Sequence, residues 1–176
     1  MRSVNAANDS SRTALHLATE RERPELAELL ITRGAVVSAR DLHGHTPLHE
    51  ATLSLARLLI RNSTDINVRD NAKAPPGDYA ALRGNSEPVE LLIAAGATTR
   101  SAGRGRSGLS GVARHGWKDL ADLFLRHGGD PNERRQGGET PLYDAVRYDH
   151  ADVVASLIKY GAEVNVTDDG GRSPLH

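Results

Sequence analysis

Three groups of residues have the types and spacing to do chemistry. Gly103-Arg104-Gly105-Arg106-Ser107-Gly108 matches G-x-G-x-x-G, in which glycines let backbone N–H groups approach a pyrophosphate. That chemistry needs a parallel strand before the match and a long helix after it, whereas Ala94 to Thr99 reads as the end of a helix. A flexible Gly-rich turn is therefore the expectation. His43, His45 and His49 are close enough to suggest zinc, but no thiol or carboxylate completes a set at convincing spacing. The third group is basic: Arg100, Arg104, Arg106, Arg114 and Lys118 follow one another with no Asp or Glu between them. Guanidinium groups in series suit carboxylates, since each can make two parallel hydrogen bonds.

Bulk properties narrow the field. The chain has 176 residues and a formal net charge of −1, so no dominant field draws in nucleic acid or a membrane surface. It contains no cysteine, which removes disulfides, thiolate metal sites and a thiol nucleophile, and suits a reducing compartment. No apolar run approaches the roughly 20 residues of a membrane span, and the first residues, MRSVNAANDSS, lack the apolar core of a secretory signal. Sequons at Asn8, Asn62 and Asn165 are then idle composition. No serine, histidine and acid are gathered into an activated nucleophile, so no enzyme activity and no cofactor are expected.

The elements that position these residues are legible from Thr140 to Asn165. Thr140-Pro141 is a capping hydroxyl followed by a proline suited to the first helical turn. Leu142, Ala145 and Val146 then fall on one helical face, and Val153, Val154, Leu157 and Ile158 make a second stripe that ends at Gly161. Neither short helix can bury its stripe alone. Ser107 lies 33 residues before Thr140 and Ser173 lies 33 after it, while Thr13 and Thr46 are also 33 apart. The starts read TALHLA, TPLHEA, TPLYDA and SPLH; the ends read LLITRGA, LLIAAGA, LFLRHGG and SLIKYGA. Val4-Asn5, Ile66-Asn67 and Val164-Asn165 keep one distance from the starts at Thr13, Pro75 and Ser173.

A repeat of this length carrying T-P-L-H-x-A resembles the ankyrin repeat, and the resemblance covers nearly the whole chain. It implies an all-α solenoid of stacked helix-turn-helix units with short β-hairpin-like fingers. The expected units are 8–40, 41–69, 70–101, 102–134 and 135–167, with partial units at 1–7 and 168–176, as in a segment of a longer array. In the first unit Leu15, Leu17, Ala18, Leu26, Leu29 and Leu30 are the candidate core. The second is short of an inter-helix turn, and Ser63 replaces the usual glycine, with Asn62 as an alternative left-handed residue. In the third, Gly77 replaces the inward leucine. In the fourth, Gly108 and Gly111 are expected to weaken the first helix. His16, His49 and His176 occupy the position that, by the resemblance, ties adjacent units together.

The resemblance also implies where a partner is held: finger tips and the exposed ends of first helices, which line a concave groove. By register these are Arg104 and Arg106, Arg114 and His115, Arg134 and Arg135, and Arg147 and Tyr148. Asp119, Asp122, Asp149 and Asp152 map to second helices or the turns before them. The basic residues are then either a plain solvated surface or a basic groove. The implied function is binding of another protein, with an acidic segment as the partner, by a monomer of the cytoplasm or nucleus. A second reading is a regulatory or substrate-recruiting arm of a larger enzyme, channel or ubiquitin-ligase adaptor. Single-stranded nucleic acid is disfavoured because aromatic platforms are not interleaved with the arginines.

Overall fold

The computed structural model describes residues 3–100 and 107–174. Among them ten helices form five pairs: α1 (Ala14–Glu20) and α2 (Pro24–Thr32), α3 (Pro47–Glu50) and α4 (Leu53–Arg61), α5 (Pro76–Ala81) and α6 (Ser86–Ala94), α7 (Gly108–His115) and α8 (Lys118–Arg126), α9 (Pro141–Arg147) and α10 (Ala151–Lys159). Thr13, Thr46, Pro75, Ser107 and Thr140 are the N-caps of the five first helices. First helices pack in succession from α1 to α9, and second helices from α2 to α10. The core therefore runs the length of the stack instead of gathering at a centre. Leu15, Leu48, Leu109 and Leu142, each two residues after a unit start, are buried along it.

No strand forms among the described residues; the fingers are closed turns, with one isolated antiparallel bridge between Ala7 and Thr13. Side-chain acceptors build them. Asp41 takes the N–H groups of His43 and His45 at 2.8 and 2.9 Å, and Asp168 does the same for Gly170 and Arg172. Asn8 accepts likewise from Ser10 and Arg12.

Histidine ties the units together. His49 Nδ1 accepts the Thr46 N–H at 3.0 Å, which leaves Nε2 protonated to donate to Ala74 O at 3.3 Å. His16 repeats this between Thr13 and His45 O. Burial pushes both imidazoles down, His49 to about 4, so each tie is a neutral ring. In the third unit Asp78 stands in the histidine position, fully buried, and its carboxyl takes the N–H of Gly108 instead of donating to a carbonyl.

The structure corrects several expectations. Leu17 on α1 and Leu26 and Leu29 on α2 are exposed; α2 packs mainly on α1 and α4, with Ala27 buried and Leu30 and Ile31 half-buried against the core. In the shortened second unit α3 has only four residues, and Ala51 and Thr52 alone lead into α4. Ser63 itself adopts the left-handed conformation, at φ +61°, while Asn62 stays at φ −98°. Gly108 and Gly111 lie within a formed helix and pack closely against neighbours. A Cβ at Gly108 would lie 2.6 Å from the Phe124 ring and 2.8 Å from Asp78, and one at Gly111 would strike Leu82. Close packing of α7 thus demands glycine at Gly108, while at Gly111 the end of the Leu82 side chain would have to move.

Candidate protein-binding face

Successive first helices end one beside the next, and their last residues differ from unit to unit. Arg114 and His115 close α7; Arg147 closes α9, with Tyr148 as its C-cap. All four are exposed. The Arg114 guanidinium lies over the Tyr148 ring, 4.9 Å from its centroid, so one cation and one aromatic face form a single raised patch across two units. His115 stacks on Trp117 at 4.6 Å and 20°. His150 Nε2 donates to Arg114 O at 2.9 Å, which fixes the end of α7 against the turn of the next unit. The helix ends are thus held while the guanidinium of Arg147, 55% exposed, projects from the patch.

The two finger arginines are committed to neighbours. Arg134 Nη2 donates to Thr167 O at 2.7 Å, as Arg40 does to Arg69 O three units earlier and Arg69 to Arg100 O two units earlier. Arg135 Nη2 lies 2.8 Å from Asp144 Oδ1 and 3.1 Å from Glu139 Oε2. Arg104 and Arg106 lie outside the described residues, as does His176. The structure therefore joins Arg114 to Tyr148, sets His115 and Arg147 at the same helix ends, and ties Arg134 and Arg135 to groups of their own and the next finger and of α9.

Sequence reasoning placed Asp78 at the histidine position of its unit but missed the pairing and burial of the acids on this face. Asp70, Asp78 and Asp144 are buried in it, and Glu139 is 17% exposed. Burial drives the Asp144 carboxyl up to about 6 despite the pull of Arg135, with Glu139 adding to the rise. Tyr79 donates to Asp70 Oδ2 at 2.6 Å across the same nine-residue span that joins Arg135 to Asp144. Asp70, Asp78 and Asp144 are thus inside, while Arg114 and Arg147 are exposed. Arg83, eight residues after Pro75, was findable, since His115 and Tyr148 stand eight after Ser107 and Thr140. Its Nη2 donates to His49 O at 3.1 Å.

Asp119, Asp122 and Asp152 sit on second helices and Asp149 in the turn before α10, as register requires. Second helices α6, α8 and α10 line a separate shallow groove of about 520 Å³ between Glu90, Asp122, Arg126 and Lys159. Its charges are mixed and partly self-paired, with Lys118 at 2.6 Å from Asp122 on its edge. No helix among the described residues is long and apolar enough to cross a membrane.

A family described as ankyrin repeats (3 copies) matches residues 2–70 and 78–168. The mouse B-cell lymphoma 3 protein homolog is 30% identical over 154 residues, which cover 82% of this chain and 34% of that protein. Human neurogenic locus notch homolog protein 1 is 31% identical over 145 residues, 79% of this chain and 6% of its own length. The chain thus spans about a third or less of these relatives. The crystal structure of the ankyrin repeat domain of Bcl-3, described as a member of the IkappaB protein family, superposes with a TM-score of 0.80 at 27% identity, covering 99% of this chain and 81% of that one.

Proposed function

This chain belongs to the ankyrin-repeat family, a family of protein-binding modules, and from that premise we propose that it holds an acidic segment of another protein along the concave side of its first helices and fingers. The observation that carries the reading is the patch made by Arg114, Arg147 and Tyr148, exposed over a layer of buried carboxyls. His115 belongs to it, and Arg104 and Arg106 join it by register. Arg134 and Arg135 extend it along the finger, where Arg135 meets Arg147 through Glu139. Exposed ion pairs are worth only about 0.2–1 kcal/mol each, so charge here gives fast, salt-sensitive capture. Tyr148 and the half-buried Leu82 supply apolar contact that lengthens the complex's life. The protein acts as a monomer in the cytoplasm or nucleus, without catalysis and without binding nucleic acid.

The named relatives carry the matched stretch inside much longer chains, which supports a second form of the reading: the module recruits a substrate or regulates a domain to which it is joined. Stopped-flow association of a labelled octaglutamate peptide tests the groove in either form. The rate is expected to fall steeply between 50 and 200 mM salt, on the order of the screening set by the Debye length, and to fall further in Arg114→Glu/Arg147→Glu. An association rate indifferent to salt and to both substitutions contradicts the proposal.

A further inference from the structure

We propose that Glu139 is a built-in competitor for the groove, a carboxylate of the chain itself that an incoming acidic segment displaces from Arg147. The inference rests on the groove reading and specifies what regulates that site. Glu139 lies between two guanidinium groups: its Oε2 is 3.1 Å from Arg135 Nη2, and its Oε1 is 4.0 Å from Arg147 Nη1. Arg135 is already engaged by the buried Asp144 at 2.8 Å. Two acids and two bases thus make one neutral cluster, in which Glu139 supplies the charge that offsets Arg147.

Among the described residues the arrangement is particular to this unit. Five residues before their unit starts, Asn8, Asp41, Asp70 and Asp168 are acceptors that take backbone N–H groups of their own fingers. Arg135 stands at that place in the fifth unit, so here the finger holds acids instead of amides. Arg147 is the exposed partner of the four, at 55%, and Glu139 is 17% exposed. A carboxylate from solvent can therefore reach Arg147 and match the geometry that Glu139 offers it only loosely, at 4.0 Å. Glu139 sets a threshold: single carboxylates are outcompeted by the internal one, and a run of acids is selected.

The test is equilibrium titration of labelled octaglutamate at low salt into wild type, Glu139→Gln, Arg147→Ala and the double variant. Glutamine keeps an acceptor for Arg135, and a melting temperature close to wild type checks the fold. Glu139→Gln is expected to tighten binding about two- to fivefold, the range of an exposed ion pair. The gain should vanish in the Arg147→Ala background, and Glu90→Gln, in the groove of the second helices, should give no comparable gain. No tightening, or an equal gain with Arg147 absent or at Glu90, overturns the inference as a mere change in net charge. If Arg114→Glu/Arg147→Glu binds octaglutamate as wild type does, the groove reading itself fails, and that result is separate from the first.

Discussion

Asn132 donates its side-chain amide to Gly161 O at 2.9 Å and takes the N–H of Glu163 on its Oδ1 at 2.7 Å, so one side chain clamps the end of the next unit's second helix. Asn5 does this to Gly34 and Val36, and Asn67 to Gly96 and Thr98. Between the first and second units the asparagine is Ser38 and the glycine is Ser63.

Asn132→Ala is expected to destabilise the array by about 1–3 kcal/mol, because two backbone groups lose their partner at once. Ser63→Gly should stabilise by up to about 1 kcal/mol, since glycine adopts φ +61° without the cost of a Cβ. Denaturant melts of the two variants against wild type check both signs. Equal and small effects would mean that the junctions are held by apolar packing alone.

Two glycines in first helices should respond in opposite directions. A Cβ at Gly77 meets nothing within 4 Å although the residue is buried, and the leucines in its place elsewhere fill the core. Gly77→Ala should gain about 1 kcal/mol of helix propensity, and Gly77→Leu about 1.5–3 kcal/mol where the space accepts it. Gly108→Ala should instead lose stability, since Phe124 and Asp78 stand where its methyl must go. Thermal melts decide, at roughly 2–4 °C per kcal/mol for a chain of this size. A Gly108→Ala protein more stable than wild type would contradict the packing described here.

Asp78 makes stability depend on pH in the alkaline direction. Burial, with Glu133 second, pushes its carboxyl from 3.8 to about 8, so the native state holds a proton that the unfolded chain has released. Its contribution is complete below the unfolded value and is lost as pH rises towards 8. Between about pH 4 and 6.5 the lowered His49 and His16 act in the opposite sense to Asp78 and Asp144. Above 6.5 Asp78 acts without that opposition, and wild-type stability should decline from there to about pH 8.5. Asp78→Asn keeps an acceptor for Gly108, and should flatten the decline and be about 1–3 kcal/mol more stable at pH 9. Parallel melting curves for the two proteins across this range would overturn the assignment.

The five unit starts, the truncated second unit and the histidine ties were legible because each is a local pattern repeated in register. The clamps were not: Asn5 and Asn67 read only as register marks, since a polar residue in a loop carries no sign of what it reaches 29 residues away. Leu26 and Leu29 were misplaced because the helical stripe of PELAELLIT admits two faces, and only contact with α4 selects Ala27 and Ile31. Gly108 and Gly111 looked like helix breakers because propensity is local, whereas the approach of Phe124 and Leu82 is not. Of the candidate site, the places of Arg114, His115, Arg147 and Tyr148 at first-helix ends followed from register, and the choice of those ends from the resemblance. The acids beneath them are separated from their bases by turns, so charge counting along the chain could not pair Arg135 with Asp144.

Amide chemical-shift mapping of the isotope-labelled protein during titration with octaglutamate addresses the binding face directly. Saturable shifts are expected at Arg114, His115, Arg147 and Tyr148 and along the 134–139 finger, with Glu90, Asp122 and Lys159 on the second helices unchanged. Shifts concentrated on α6, α8 and α10, or none that saturate, would contradict a basic groove on the first helices.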